Sequence, residues 1–135
     1  MKRHWHFDSY LDGVLMIAKI SVAAVALLHV AFMYLECVLW NRPAGRRIFA
    51  MSETQARQTA ALAANQGLYN GFLAAGLGWG LLHDTCGRQI IAFFLVCIVV
   101  AGIFGAITAS RSILWLQALP GAIALSLVLL DSGWL

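Results

Sequence analysis

The strongest constraint in this sequence is a series of four apolar runs, each close to the length of chain that crosses a bilayer. A helix needs about 20 apolar residues to cross the hydrocarbon layer. The runs cover residues 14–40, 58–82, 90–109 and 113–130. Because hydrocarbon offers no partner for backbone polar groups, a spanning segment of this length is expected to be helical. We therefore predict an all-α fold, a four-transmembrane-helix antiparallel bundle that occupies residues 1–135 as one domain.

The composition supports this class of protein. Apolar residues make up 61% of the chain, charged residues 11%, and the mean hydropathy is +0.81. A soluble domain carries about 25% charged residues, so this chain has too little polar surface to cover a soluble globule. That excludes a soluble enzyme, a nucleic-acid-binding module and a secreted disulfide scaffold. We expect Cys37, Cys86 and Cys97 to be free, because their predicted depths differ too much for disulfide geometry.

The basic residues predict how the chain lies in the membrane. Residues 41–59 carry four arginines, and a fifth, Arg111, lies in the loop between the last two runs. The opposite side carries Lys2, Arg3 and Arg88, with Lys19 close to it. Since cytoplasmic loops are richer in Lys and Arg, we expect the 41–59 loop in the cytoplasm and both termini outside, in a bacterial inner membrane. Ser52 and Gln55 have capping-box spacing and predict a helix start.

Seven polar side chains at depth in the apolar runs are the candidates for a site, because ionisable and amide groups are costly there. They are His29, Glu36, Asn65, Gln66, Tyr69, Asn70 and Gln117. At the rise of an α-helix, Glu36, Gln117 and the 65–66 pair share a level ~6–9 Å from the 41–59 side. Tyr69, Asn70 and His29 lie at ~14–16 Å on the same scale. Three separate runs therefore place polar groups at matching levels.

The four polar residues of the second run span an arc of about 140° on a helix. An arc this wide is expected to face protein or a cavity, so we predict a pocket inside the bundle, open toward the 41–59 loop. Glu36 is expected to pair with Asn65, Gln66, Gln117 or Arg111, whereas His29 is expected to meet Tyr69 or Asn70. In the alternative interpretation, these groups only bond the helices to one another and leave no pocket.

Small residues in the second run predict close helix packing. Gly67 and Gly71 are four residues apart, and so are Gly76 and Gly80. One interpretation is packing within the chain alone. The other is that one of these stripes also makes a homo-oligomer contact.

Three functions are compatible with these features. The first is binding or conversion of a small lipophilic molecule, with Glu36 as acid/base and His29 as a second catalytic group; Asn65, Gln66, Tyr69, Asn70 and Gln117 would bind the substrate. His29 is also the candidate ligand of a haem, and no other metal or cofactor is indicated. The second is small-solute transport, with Glu36 and His29 as a proton relay. The third is a non-catalytic membrane scaffold or accessory subunit. Membrane lipid is an expected partner and nucleic acid is not.

The second run also resembles a known family. The segment Asn65-Gln66-Gly67-Leu68-Tyr69-Asn70-Gly71 is similar to the small membrane proteins called domain of unknown function 1304. The likeness extends over residues 14–130 through Tyr34-Leu35-Glu36, the Pro43-x-Gly45-Arg46 turn and Gln117-Ala118-Leu119-Pro120-Gly121. It implies four spans and no established activity. Architectural analogies to small four-span isomerases and glutathione transferases make a membrane-embedded enzyme one option, without assigning its chemistry.

Overall fold

The computed structural model describes residues 3–130, with side chains from Gly13 onward, and the described chain is all-α. The five α-helices are α1 (Arg3–Tyr34), α2 (Pro43–Ile48), α3 (Glu53–Leu82), α4 (Gly87–Thr108) and α5 (Leu119–Leu130). Two π-helical turns, π1 (Leu35–Leu39) and π2 (Leu114–Ala118), continue α1 and precede α5. The predicted all-α class is confirmed, and no strand occurs between residues 3 and 130. Lys2 and the Arg3 side chain, which entered the charge comparison, lie outside what is described.

Two helices in the described chain are long and apolar enough to cross a membrane. They are Gly13–Leu39, with a mean hydropathy of 2.2, and Gly87–Thr108, with 3.0. Leu114–Leu130 forms a shorter apolar helix. α3 is 30 residues long, but Asn65, Gln66 and Asn70 lower its hydropathy. Length and composition therefore support the first and third predicted spans more strongly than the second and fourth.

The chain folds as two compact units, residues 26–75 and residues 1–25 with 76–135. In the second of these, α4 packs on π2 and α5 through small residues. A Cβ at Gly102 would lie 2.7 Å from the backbone nitrogen of Ala118, and one at Gly121 would lie 2.8 Å from Ile98 Cγ2. The buried core of this unit includes Leu77, Ile91, Leu95, Ile98 and Val128.

The unit of residues 26–75 contains the end of α1, π1, α2 and the first half of α3. α3 starts with the predicted capping box: the Ser52 amide donates to Gln55 Oε1 at 2.9 Å, and the Gln55 amide donates to Ser52 Oγ at 3.2 Å. The Ser52–Gln55 prediction is thus confirmed. Two of the amide groups that a helix start leaves unpaired are bonded here.

The Pro43-x-Gly45-Arg46 turn has a physical explanation in this unit. Pro43 occupies the first position of α2, where its missing N–H costs nothing. Gly45 lies so close to the Leu39 carbonyl that any Cβ there would collide with it. Arg46 donates to the Asn41 carbonyl oxygen at 2.8 Å. The three residues together fold the chain tightly back after π1.

The π-turns were not predicted, and each lies beside a backbone constraint. π2 surrounds Leu116, which lies four positions before Pro120. In a regular α-helix, the Pro120 ring would clash with the carbonyl of Leu116. The wider turn provides space for that ring. π1 ends at Leu39, whose carbonyl accepts the Arg42 amide at 2.9 Å and lies against Gly45.

Candidate functional site

A hydrogen bond between Glu36 of π1 and Asn70 of α3 is the central feature of the candidate site. Asn70 Nδ2 donates to Glu36 Oε2 at 2.7 Å. Asn70 is buried, with 5% of its surface exposed, whereas Glu36 is half-buried. A short bond to a carboxylate is among the stronger hydrogen bonds in proteins. The two predicted polar residues are therefore in direct contact within the 26–75 unit.

Two glycines of α3 allow this contact to form. A Cβ at Gly67 would lie 2.5 Å from Cys37 Sγ and 3.1 Å from Glu36 Cβ. A Cβ at Gly71 would lie 2.8 Å from Met33 Sδ. The absent side chains let the two backbones approach to the distance at which the amide reaches the carboxylate.

The π-helical turn directs two consecutive side chains to the same neighbour. Glu36 bonds Asn70, and Cys37 Sγ donates to the Ala64 carbonyl oxygen at 3.5 Å. π-helical turns are frequent at functional sites, where they change which side chains share a face. The sequence gives no signal for this π-helical turn. For that reason Cys37 was not predicted to take part in the contact with α3.

Within the 26–75 unit, Glu36 bonds Asn70 and not Asn65 or Gln66 as expected. Its expected pairing with Gln117 or Arg111, which belong to the other unit, stays a prediction. The expected partners were predicted from equal levels in the membrane, whereas Asn70 is estimated ~9 Å deeper than Glu36. Depth in the membrane does not say which way a side chain points around its helix. Around the α3 axis, Asn70 lies about 60° from Gly67, the glycine that faces π1, whereas Asn65 lies about 160° from it. The Gly67/Gly71 stripe was the signal that identified the α3 face toward π1. Gln117 lies half-buried in π2, in the other unit.

The polar arc of α3 is only partly buried within the single chain, and its predicted orientation toward protein or a cavity stays a prediction. Asn70 is buried, but Asn65, Gln66 and Tyr69 are exposed, Tyr69 with 52% of its surface. The Tyr69 ring contacts Phe72 on its own helix, at 6.2 Å between centroids. An arc of about 140° is wider than one neighbouring helix covers, so part of it faces outward.

His29 lies in the same unit and is fully buried. Its ring meets Phe32 edge to face, with centroids 5.7 Å apart. With no exposed surface, the imidazole as it stands does not fit an axial haem ligand, because a porphyrin needs an open approach to the ring nitrogen. Its contact with Tyr69 or Asn70 stays a prediction, and so does its catalytic role.

The contact between the helices continues to the end of the first span through residues that the sequence analysis missed. Trp40 Nε1 donates to Thr59 Oγ1 at 3.0 Å, and Thr59 Oγ1 donates to the Gln55 carbonyl oxygen at 2.8 Å. Trp40 also packs on Phe49, with ring centroids 4.7 Å apart. A tryptophan at the end of an apolar run is typical of a membrane interface and usually bonds its N–H, which was the available signal.

The glycines of the second stripe also contact their own chain. A Cβ at Gly76 would collide with the Phe94 ring, and one at Gly80 would lie 2.5 Å from Ile91 Cγ1. Packing within the chain thus accounts for all four glycines, and a homo-oligomer contact through them stays a prediction. An open groove of about 470 Å³ in the unit of residues 1–25 and 76–135 is lined mainly by apolar side chains and Lys19, and none of the predicted site residues lines it.

Comparison with known proteins decides the family. The family model described as "Protein of unknown function (DUF1304)" matches residues 23–129. The chain belongs to the DUF1304 family. This confirms the resemblance drawn from the Asn65–Gly71 segment, and the match includes π1, π2 and the Glu36–Asn70 bond.

The chain is also similar to a bacterial protein whose name gives no activity. The chain is 27% identical over 95 residues to "Uncharacterized protein YpaA" of Lactococcus lactis subsp. lactis, a match that covers 69% of this chain and 80% of the relative. No solved structure shows a significant match. DUF1304 membership therefore comes without an assigned activity.

Proposed function

We propose that this DUF1304 protein is a four-span integral membrane protein whose Glu36–Asn70 pair binds a small amphipathic molecule. The spans are α1 with π1, the later part of α3, α4, and π2 with α5. Two of these helices have membrane length and hydropathy, and short connections at residues 83–86 and 109–113 favour alternating directions. The arginines of residues 41–59 favour a cytoplasmic location for that segment, with both termini outside the inner membrane.

The half-buried state of Glu36 carries the proposed binding role. Asn70 occupies Oε2 of the carboxylate, and Glu36 retains part of its surface exposed. A carboxylate has about four acceptor positions, and a primary amide has a second N–H and a carbonyl oxygen. A ligand hydroxyl or amine can therefore donate to Glu36 while the Asn70 bond is retained.

Gln66 provides a second polar group beside this position. It lies one helical turn before Asn70 and about 40° from it around α3, and its side chain is exposed. The ligand that fits has a polar head of one or two hydrogen-bonding groups and an apolar body that lies against the helices. If the molecule is converted as well as bound, Glu36 is the group placed to exchange a proton with it.

Co-purification tests the proposal. The full chain, extracted from membranes in mild detergent, is compared by small-molecule mass spectrometry with Glu36→Gln and Asn70→Ala. A compound bound by the wild type is expected to fall at least tenfold in both variants. Ser126→Ala, which removes only an intrahelical bond to the Ala122 carbonyl, is expected to retain it. A compound profile that is the same in all four proteins contradicts the binding role.

A second candidate, an accessory subunit, is supported by the exposed face of α3. Asn65 and Tyr69 lie about 160° and 200° from Gly67, opposite to the stripe that contacts π1. An amide exposed to hydrocarbon is costly, and a neighbouring protein would supply bonding partners.

Photo-cross-linking in intact membranes distinguishes this candidate. A photoreactive residue at position 65 is expected to give one discrete protein adduct if α3 faces a partner. The control position is Leu27 of α1, an apolar residue with 69% of its surface exposed. Adducts only with lipid at position 65 argue against an accessory subunit and leave the Glu36 site as the functional feature.

A further inference from the structure

The turn that joins α1 to α3 has a composition and rigidity that suit a particular partner. Residues 41–59 carry four arginines and one glutamate. Glu53 accepts from Arg57 Nη2 at 2.6 Å and lies 3.8 Å from Arg46, so the acidic residue is shared by two of the arginines. Arg42 and Arg47 are exposed and make no ion pair within the described residues. Two positive charges are therefore left without an acidic partner among the residues that the structure describes.

Apolar side chains are exposed beside these charges. Ile48 has 59% and Phe49 38% of its surface exposed. Both directly follow Arg47 at the end of α2. Exposed apolar groups among arginines are typical of an element that lies in the membrane interface, with its side chains in the headgroup region.

The turn is held in one conformation rather than left as a flexible loop. Trp40 bonds Thr59 across the base, and Arg46 bonds the Asn41 carbonyl. The Met51 amide donates to the Arg46 carbonyl at 2.9 Å and closes the end of α2. Because Trp40 directly follows the apolar Gly13–Leu39 segment, this fixed turn belongs at the level where hydrocarbon gives way to headgroups.

We infer that the α2 turn, defined as residues 41–52, is a binding surface for anionic phospholipid, with Arg42 and Arg47 on the headgroup phosphates and Ile48 inserted beside them. The inference rests on the membrane placement proposed above. Arginine pairs with phosphate through a planar fork of donors, and a basic residue near an anionic membrane contributes about a fivefold gain in affinity. Charge complementarity therefore selects phosphatidylglycerol-type lipids over zwitterionic ones.

Native mass spectrometry of the full chain tests this surface directly. The protein is released from neutral detergent micelles that contain equal amounts of phosphatidylglycerol and phosphatidylcholine, and the two lipid adducts are compared. The wild type is expected to prefer phosphatidylglycerol. Arg42→Gln and Arg47→Gln should each lower the ratio of the two adducts about fivefold, and the double variant about 25-fold. Arg57→Gln is the matched control, because Arg57 is already paired with Glu53, and its ratio should stay within about twofold of the wild type.

Each other result rejects the inference. If Arg57→Gln lowers the adduct ratio as much as the other variants, the effect comes from the overall charge of the protein. If the wild type binds the two lipids equally, the turn does not select anionic lipid. Two competitors are added in further runs. Displacement of phosphatidylglycerol by excess inorganic phosphate would indicate a free-anion site. Binding of an acidic peptide with no preference between the two lipids would indicate a protein partner. Unchanged helical circular dichroism excludes misfolding of the variants. Extraction of membranes with carbonate tests the membrane placement separately. Release of the protein into the wash would refute that placement.

Discussion

Ala50, two residues beyond the end of α2, has a backbone conformation that glycine adopts more easily. Its φ is 50°, in the left-handed region. The Met51 amide donates to the Arg46 carbonyl, and the Ala50 amide donates to the Arg47 carbonyl at 3.3 Å. These two bonds form the Schellman motif that commonly ends a helix, with alanine where glycine is usual. The position is therefore strained by its Cβ.

Ala50→Gly is accordingly expected to stabilise the protein. Relief of the left-handed strain should raise the free energy of unfolding by about 1 kcal/mol. The measurement is denaturation in mixed micelles with a rising fraction of anionic detergent. Ala44→Gly, the same change inside α2, should lower stability by about 0.5–1 kcal/mol. Loss of stability in both variants would contradict the strain at Ala50.

Gly67 and Gly78 lie on the same helix and predict opposite outcomes for the same substitution. A methyl group at position 67 would push Cys37 and Glu36 away, whereas one at position 78 meets nothing within 4 Å. Gly67→Ala should therefore cost about 1–3 kcal/mol of stability, and Gly78→Ala should be neutral or gain up to about 1 kcal/mol. Equal effects in the denaturation assay would show that Gly67 does not set the helix approach.

Several residue-scale features could be predicted from the sequence and others could not. The Ser52–Gln55 capping box is a local pattern that depends only on neighbouring residues, and it was confirmed. The left-handed Ala50 has no local signal, because alanine gives no preference for positive φ. The bond from Asn70 to Glu36 was not predicted, because it depends on rotation about two helices, and a π-turn alters that rotation.

At the scale of the element, α3 presents different chemistry on different faces. Gly67, Gly71 and Asn70 contact the end of α1 and π1, whereas Asn65 and Tyr69 lie on the exposed side. Its N-terminal turn is polar and begins with Glu53, where a negative charge suits the helix dipole. In the proposed four-span arrangement, the helix is longer than a span requires, and its first turns lie outside the hydrocarbon.

The start of α3 predicts a dependence on pH. The pKa of Glu53 is lowered because Arg57 donates a hydrogen bond to it, and the charges of Arg57 and Arg46 add to the effect. With a folded pKa below the unfolded one, the contribution of Glu53 to stability is present above the unfolded pKa. It is lost as the pH falls through the folded pKa.

Glu53→Gln tests this dependence. The wild type should be the more stable protein at neutral pH, and the difference should shrink as the solution is acidified below the ordinary carboxyl range. Unfolding measured in mixed micelles across this pH range provides the comparison. Ser126→Ala, which removes an intrahelical bond of a group without charge, serves as the control and should leave the pH profile of the wild type unchanged. A difference that grows on acidification would contradict the assignment.

At the scale of the molecule, apolar length and composition were enough to predict an all-α protein, and the residues 65–71 were enough to identify its family. The apolar runs could not establish whether α3 crosses the bilayer, because a helix with several amide side chains is compatible both with a polar helix outside the membrane and with a functional span. The four-span arrangement therefore stands as a proposal that requires a topology experiment.

Cysteine labelling tests the arrangement on the whole chain. Cys86 is exposed in the connection before α4, and it is made the single cysteine by Cys37→Ala and Cys97→Ala. A maleimide that cannot cross membranes should label it in intact bacterial spheroplasts. Ser52→Cys, made with all three native cysteines replaced, should be labelled only after permeabilisation. Labelling of both positions from one side would show that α3 does not cross the bilayer.

The central claim is that Glu36 and Asn70 act as a bonded pair, and a double-mutant cycle measures it most directly. Unfolding free energies are compared for the wild type, Glu36→Ala, Asn70→Ala and the double variant, with Asn65→Ala in place of Asn70→Ala as the control cycle. The account predicts a coupling of about 1.5–3 kcal/mol for positions 36 and 70 and additivity within about 0.5 kcal/mol for positions 36 and 65. Additive effects at positions 36 and 70 would contradict it.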